Sequence, residues 1–521
     1  MRMNKLNLLP RTGLLASAAL TCVLAGCMVG PKYHAPAPQA PPDFKETPTN
    51  ATKTTAQAPQ SAAPAEDPTL GGLGSWKVVD PKDSALRGKW WEIYNEPELN
   101  ALEEQLNVNN QNIKQSFETF MAARSVVREA RSQLFPTVGV APSGTRERGS
   151  VNVANSTGKA VTLLELPATV SWEPDLWGKI RSTVRQAQYN AQVSAADLEN
   201  ERLSEQAALA IYYFELRGQD ALQQILDTTV AADQKSLDYA KAQYETGVAD
   251  QLPVVQAEST LESAQSLATN LGVARAQYEH AIAMLVGKAA SDFSIPVRPM
   301  LITPPPIPVG LPSELLERRP DIAAAERTLA ASNAQIGIGK AAYFPTVSLS
   351  ATGGFESTAW KHLLDWPSRF WSIGPSVSET VFDAGLRRAT VNQYVATYNA
   401  NLAGYRQSVL TAIQQVEDSL ATIRILSEQI QQQHKAVESS KLALELEMTR
   451  YQNGLDPYIN VVTEQNSLLS AQQTMAQIEI QRTTASVQLI EALGGGWSRS
   501  QLPGVEQVTV KPAATETAIQ Q

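Results

Sequence analysis

The chain is short of the residues from which most sites are built. Cysteine occurs twice in 521 residues, as Cys22 and Cys27. The four histidines, His34, His280, His362 and His434, stand in unrelated contexts. No nucleophile–His–acid set, metal-ligand spacing or phosphate-cradling glycine loop goes with them. Glu417 and Asp418 are neighbours on a predicted helix and point apart, so they are not a facing acid/base pair. Enzymatic chemistry, a metal and a cofactor are therefore not expected. A net charge of −9 argues against nucleic acid as a partner. Aromatic residues make up only 6% of the chain. Past the N-terminus no stretch approaches the roughly 18 to 20 apolar residues of a spanning helix. Any membrane crossing must then use β-strands.

What is present begins with a targeting signal over residues 1–26. Arg2, Lys5 and Arg11 precede a short apolar core, Leu14–Leu24. Leu24-Ala25-Gly26-Cys27 matches a bacterial lipobox, which makes Cys27 the expected lipid attachment site. Met28 stands where an inner-membrane retention signal would show Asp, so sorting to the outer membrane is the default. With Cys22 removed, the mature chain keeps one acylated cysteine and no disulfide. Residues 27–75, rich in Pro, Ala and Thr, read as a linker between lipid and fold, with ordered structure from about Trp76.

The remainder is a tandem duplication. Ser171–Arg181 and Ser378–Arg388 each pass from an extended run through a glycine, Gly178 or Gly385, into a long helical run. The two glycines are 207 positions apart, and the same offset relates Tyr244 to Tyr451, Gly247 to Gly454 and Gly287 to Gly494. The first repeat spans 76–295 and the second 313–496. A Pro-rich connector (296–312) joins them, and a polar tail (497–521) is expected to be loosely held.

Within each half the pattern predicts a β-hairpin between long helices. Leu99, Leu106, Ile113 and Phe120 recur every seven residues, as in coiled-coil packing. Pro136 ends that helix, and the first hairpin covers about 137–172, with strands at Thr137–Arg146 and Ala160–Trp172. Pro345 ends its counterpart, and the second hairpin covers about 346–382, with strands at Thr346–Glu356 and Phe370–Phe382. Trp360, Trp366, Phe370 and Trp371 give the second loop the composition of a membrane-interface belt. From Gly178 to Gly247 a continuous helix would reach on the order of 100 Å. Val409, Ile413, Val416 and Leu420 keep a 3-and-4 spacing in the second copy. Helix tips fall at Gly247-Val248 and Gly454-Leu455, where glycine supplies a left-handed cap. Four strands cannot close a barrel, and lipid does not tolerate open edges. Membrane-embedded hairpins would therefore need oligomers, and a trimer supplies twelve strands.

At this point the residues resemble a known family, the TolC-like outer-membrane factors of tripartite efflux pumps, in the lipoprotein branch labelled NodT-type. The resemblance rests on Ser171–Arg181, on Gly310–Ile322 with its Leu-Leu-Glu-Arg-Arg-Pro-Asp string, and on Asn333–Gly337. Phe344-Pro345, Gly374-Pro375, Phe382–Gly385 and Tyr405–Leu410 add to it. It covers nearly all of the mature chain. It implies a mainly α fold with a small β part, assembling as a homotrimer into a 12-stranded outer-membrane barrel and a 12-helix periplasmic tunnel. The implied partners are a periplasmic adaptor at the tips and an inner-membrane RND-type transporter. Ser313 is expected to N-cap a helix, with Pro320 and Asp321 opening the next and Arg318 and Arg319 ion-paired at helix ends. Carried over residue by residue, the family's gate falls on Tyr451 and Gly454, with Ile459 at a constriction. The family's acids fall at Asn460 and Thr463, which departs from the pattern and leaves Asp456, Glu464 and Asp250 as the nearest carboxylates. The competing readings are a type I protein-secretion duct, which usually lacks the lipobox, and a lipid-anchored coiled-coil scaffold.

Overall fold

The computed structural model describes residues 28–36, 41, 44–46, 88–152, 158–307 and 312–509. Cys27, the signal segment and 76–87 lie outside them. A short 3-10 turn, Trp90–Tyr94, leads to α1 (Pro97–Asn109) and α2 (Gln111–Ser132). These replace the single helix expected from the heptads. Leu99, Leu106 and Ile113 are buried and Phe120 packs against them. Asn110 breaks the helix, and its side chain accepts from the N–H groups of Asn112 and Ile113, capping α2.

The first hairpin comprises β1 (Thr137–Val140), β2 (Ser143–Arg148) and β3 (Ala160–Trp172). Its outgoing strand is interrupted at Ala141-Pro142, because proline carries no N–H for the ladder. Next come α3 (Lys179–Glu245) and α4 (Leu252–Leu285). The second half repeats the order as α5 (Leu315–Arg318), α6 (Pro320–Ala341), β4 (Thr346–Ser357), β5 (Arg369–Ser378), α7 (Leu386–Gln452) and α8 (Tyr458–Ala492). β5 stops at Ser378, before the expected Phe382. Helices α3 and α7 are each 67 residues long, about 100 Å. All six offset glycines have positive φ, between 70° and 93°. The duplication therefore preserves the backbone turns that only glycine adopts without strain.

Ser313 lies inside a 3-10 turn and does not cap α5, whose first residue follows Glu314. Pro320 opens α6 as expected. The Arg319 guanidinium pairs with Asp321 at 2.6 Å and donates to the Ala492 carbonyl at 2.9 Å. Arg318 pairs with Glu314 at 2.9 Å.

The connector is stitched to the helices by a buried ion network. Asp220 accepts from Arg217 at 2.9 Å, from Arg275 at 2.7 Å and from the Arg298 backbone N–H at 2.9 Å.

Two expectations about the ends of the chain are corrected. Over its described residues, the linker is packed against the fold. Val29 N–H donates to the Trp177 carbonyl, and Asn333 donates to the Pro31 carbonyl. Phe44 is 5% exposed, in a cluster with Ile322, Tyr405 and Val409. Glu417 accepts from the Lys45 and Glu46 backbone N–H groups at 2.7 and 3.0 Å. The tail is likewise held through Thr509, with Trp497 and Val508 buried. Gln192 donates to the Pro503 carbonyl at 2.8 Å. Both ends meet at Glu326, which accepts from Tyr33 and Arg499. The apolar residues that anchor each end are too isolated to form a periodic pattern in sequence.

Candidate functional site

The five strands form one antiparallel sheet in the order β1/β2–β3–β4–β5, which leaves β1/β2 and β5 as its edges. Side chains alternate between faces along each strand, so the register sorts them. Leu166, Ala168 and Val170 lie opposite Phe355, Gly353 and Ala351, and the last two lie opposite Trp371 and Ile373. Val138 and Val140 join the same face through Val170 and Ala168. The other face carries Thr137, Thr169, Ser171, Ser348, Ser350, Thr352, Ser372 and Ser376. One face is apolar, with Val138, Trp371, Ile373 and Val377 exposed. The other is lined with hydroxyls.

The apolar stripe runs on β4 from Val347 to the level of Leu164, opposite Ser357. Those ten residue steps cover about 34 Å of strand. At a tilt of about 40° that is roughly 26 Å of height, close to the band of about 25 Å that a barrel presents to lipid. Of the four aromatics expected in an interface belt, Trp360, Trp366 and Trp371 are exposed. Phe370 lies opposite Gly354 on the hydroxyl face, because it is one residue out of phase with Trp371. Glu165 and Glu356 also oppose each other on the inner face.

At the sheet's lower end each half makes the same transition by similar means. Pro136 and Pro345 follow tight turns closing α2 and α6. Gly178 and Gly385 start α3 and α7 with φ of 78° and 89°. An upstream aspartate caps each helix. Asp175 accepts from the Ile180 and Arg181 N–H groups, and Asp383 from those of Gly385 and Arg387. Trp177 ties the halves together, donating to the Pro345 carbonyl at 2.8 Å and stacking on Phe344.

At the far end, the two tips share a backbone motif. Gly247 N–H bonds the Tyr244 carbonyl and Val248 N–H bonds that of Gln243; Gly454 and Leu455 repeat this with Tyr451 and Arg450. Val248 and Leu455 are exposed. Tyr451 is 7% exposed, and its hydroxyl donates to Gln243 of the first copy at 2.7 Å. Its ring packs edge-on against Tyr239 and tilted against Tyr458. Ile459 is exposed beside it, Asn460 is half-buried, and Thr463 donates back to the Ile459 carbonyl. Asp456 pairs with Arg450, which holds its carboxyl below the usual range.

Sequence reading missed Asp233. It lies on the stripe formed with Ser236, Leu237 and Ala240, and it is buried. Among the described residues its Oδ1 has no hydrogen-bond partner, and burial pushes the carboxyl up to about 6. The 3-and-4 spacing of that stripe could have placed it. The cross-copy bond of Tyr451 left no such signal.

Known proteins match this architecture along nearly its whole length. The chain is 30% identical over 502 residues to the antibiotic efflux pump outer membrane protein ArpC of Pseudomonas putida, covering 96% of this chain and 98% of ArpC. It matches the toluene efflux pump outer membrane protein TtgC, also of Pseudomonas putida, at the same identity and coverage. The solved outer-membrane channel OprN superposes with a TM-score of 0.79 at 28% identity, over 90% of this chain and 100% of OprN. The sequence profile of the outer membrane efflux protein family matches residues 102–288 and 311–495, one segment in each repeat, and the chain belongs to that family.

Proposed function

We infer that this outer-membrane efflux channel is the passive exit duct of a tripartite pump, built from three copies of the chain. The observation that carries the reading is the two-faced sheet with two open edges. A hydrocarbon-facing band needs every backbone group paired, and four strand positions cannot close by themselves. Two copies would give a barrel of about eight strands, filled by its own side chains. Three give twelve strands around a hydroxyl-lined lumen, continued by a twelve-helix tunnel.

A wall of hydroxyls suits passage rather than chemistry, so direction and energy come from partners. The exposed tips at Gly247, Val248, Gly454 and Leu455 meet a periplasmic adaptor, itself docked on an inner-membrane RND-type transporter. Relatives named for antibiotic and toluene efflux support small organic molecules as cargo. Cys27 carries the lipid. Its neighbour Met28 packs against Gly178 at the foot of the sheet, which suits an acyl chain entering the inner leaflet. Closure rests on Tyr451 and Ile459 more than on an acid ring, because Asp456 is neutralised by Arg450.

The full-length protein, extracted in detergent, should have the mass of three chains and give stepwise conductance in planar bilayers. A monomer that is soluble without detergent and never conducts would overturn the duct and favour a periplasmic scaffold.

A further inference from the structure

Charged residues at the loop end of the sheet separate by face. Glu147, Glu165 and Glu356 occupy the inner, hydroxyl-lined face, whereas Arg146, Arg148 and Arg369 occupy the outer face, the first two above the apolar stripe and Arg369 beside Phe355 near its upper end. Lys361, in the loop between β4 and β5, adds a further cation. None of these four cations pairs with a carboxylate among the described residues. Arg369 instead lies over the Trp366 ring and donates from Nε to the Trp366 carbonyl at 3.1 Å. Trp366 is exposed in the loop there, and Trp371, also exposed, lies two residues beyond Arg369 within the stripe.

The two halves of this basic set sit on opposite edges of the sheet. Arg146 and Arg148 are on the β1/β2 edge, and Arg369 and Lys361 are on or beside β5. When copies join edge to edge, β5 of one comes to lie about 5 Å from β1/β2 of the next. The cations then face the same seam. Four unpaired positive groups beside an apolar wall repel one another unless an anion lies among them, and guanidinium groups match phosphate oxygens in pairs.

We propose that this seam is a docking site for a phosphate-bearing lipid of the outer leaflet, its acyl chains on the apolar stripe and its phosphates on Arg146, Arg148, Arg369 and Lys361. The site rests on the barrel reading above. It takes residues from two copies, so the lipid would act as a clasp between protomers.

The test titrates the full-length oligomer in detergent with diphosphorylated lipid A, dephosphorylated lipid A and phosphatidylcholine, following its melting temperature. Diphosphorylated lipid A should raise the melting temperature. Dephosphorylated lipid A and the zwitterionic phosphatidylcholine should do so weakly or not at all. The triple variant Arg146→Gln, Arg148→Gln, Arg369→Gln should need at least about tenfold more lipid for half-effect, the scale of one lost charge-assisted contact. The inner-face pair Glu147→Gln, Glu356→Gln should respond like the parent. Should the triple variant fail to assemble, Lys361→Gln alone should shift the midpoint in the same direction. Equal midpoints for the parent and the triple variant (or Lys361→Gln, where the triple variant does not assemble), or equal stabilisation by dephosphorylated lipid, would overturn the docking site. Insertion and conductance in phosphatidylcholine vesicles separate the two readings. A protein that conducts there but ignores diphosphorylated lipid A loses only the lipid site, whereas one that never inserts loses the barrel as well.

Discussion

The two halves of the chain are alike in backbone and unlike in what their side chains touch. Gly178 and Gly385 share a left-handed conformation, yet a β-carbon on Gly178 would lie 2.8 Å from the Met28 Cγ, while one on Gly385 would meet nothing among the described residues within 4 Å. Tyr451 is 7% exposed and bonded to Gln243, while its counterpart Tyr244 is 48% exposed. Asp233 is buried, while the residue 207 positions on is Ser440, half-buried and within 3.5 Å of the Ser467 hydroxyl. The first hairpin carries the interrupted strand and the second the tryptophan-rich loop. Duplication preserved the turns that set helix length and strand position. The side chains then diverged, so that one half closes onto the other.

The largest expected effect lies at Asp233. Its folded carboxyl is raised to about 6 from an ordinary 3.8, which corresponds to on the order of 3 kcal/mol against the ionised form. Because the folded value is raised, this group's stabilising contribution is full below the ordinary value and is lost as pH rises through 6. Asp233→Asn should raise hydrogen-exchange protection in the tip portions of α3 and α8 at pH 7.5 and remove most of the difference in protection factor between pH 5 and pH 7.5. Ser440→Asn should do neither. An unchanged pH difference in Asp233→Asn would show that the carboxyl is not strained by burial.

A smaller difference is expected at the junctions. Valine at either left-handed position costs about 1–3 kcal/mol in backbone strain. Gly178→Val should lower the melting temperature more than Gly385→Val, because only the first collides with the N-terminal segment. The reverse order would mean that Met28 does not hold that position.

The smallest effect is at the tips. Tyr451→Phe removes one hydrogen bond, about 1 kcal/mol, and should raise single-channel open probability several-fold. Tyr244→Phe should leave it unchanged. Equal responses would remove the asymmetry assigned to the gate.

Much of the frame could be read from residues alone because it depends on local chemistry. Glycines fixed at one offset, long runs rich in Ala, Gln, Glu and Leu, and strands bounded by Pro136 and Pro345 all carry their signal within a few residues. The alternation Thr346-Val347-Ser348-Leu349-Ser350-Ala351-Thr352 already shows two faces. What stayed hidden depends on distant partners. Phe44 is an isolated aromatic until the second half surrounds it. Glu417 faces solvent on a bare helix until the Lys45 and Glu46 amides reach it. The proposed gate lay between these cases, since Tyr451 and Gly454 could be located by motif. Burial of Tyr451 and pairing of Asp456 with Arg450 needed the fold.

A duct requires the sheet to close into a lipid-facing, hydroxyl-lined wall. Cysteine scanning along β4 tests it most directly, with the full-length oligomer reconstituted in vesicles and channel conductance recorded. Ser348→Cys, Ser350→Cys and Thr352→Cys should react with a charged, water-borne thiol reagent and alter conductance. Leu349→Cys, Ala351→Cys and Gly353→Cys should resist it and react only with a lipid-soluble label. Reactivity without a two-residue period, or with the period reversed, would contradict the barrel.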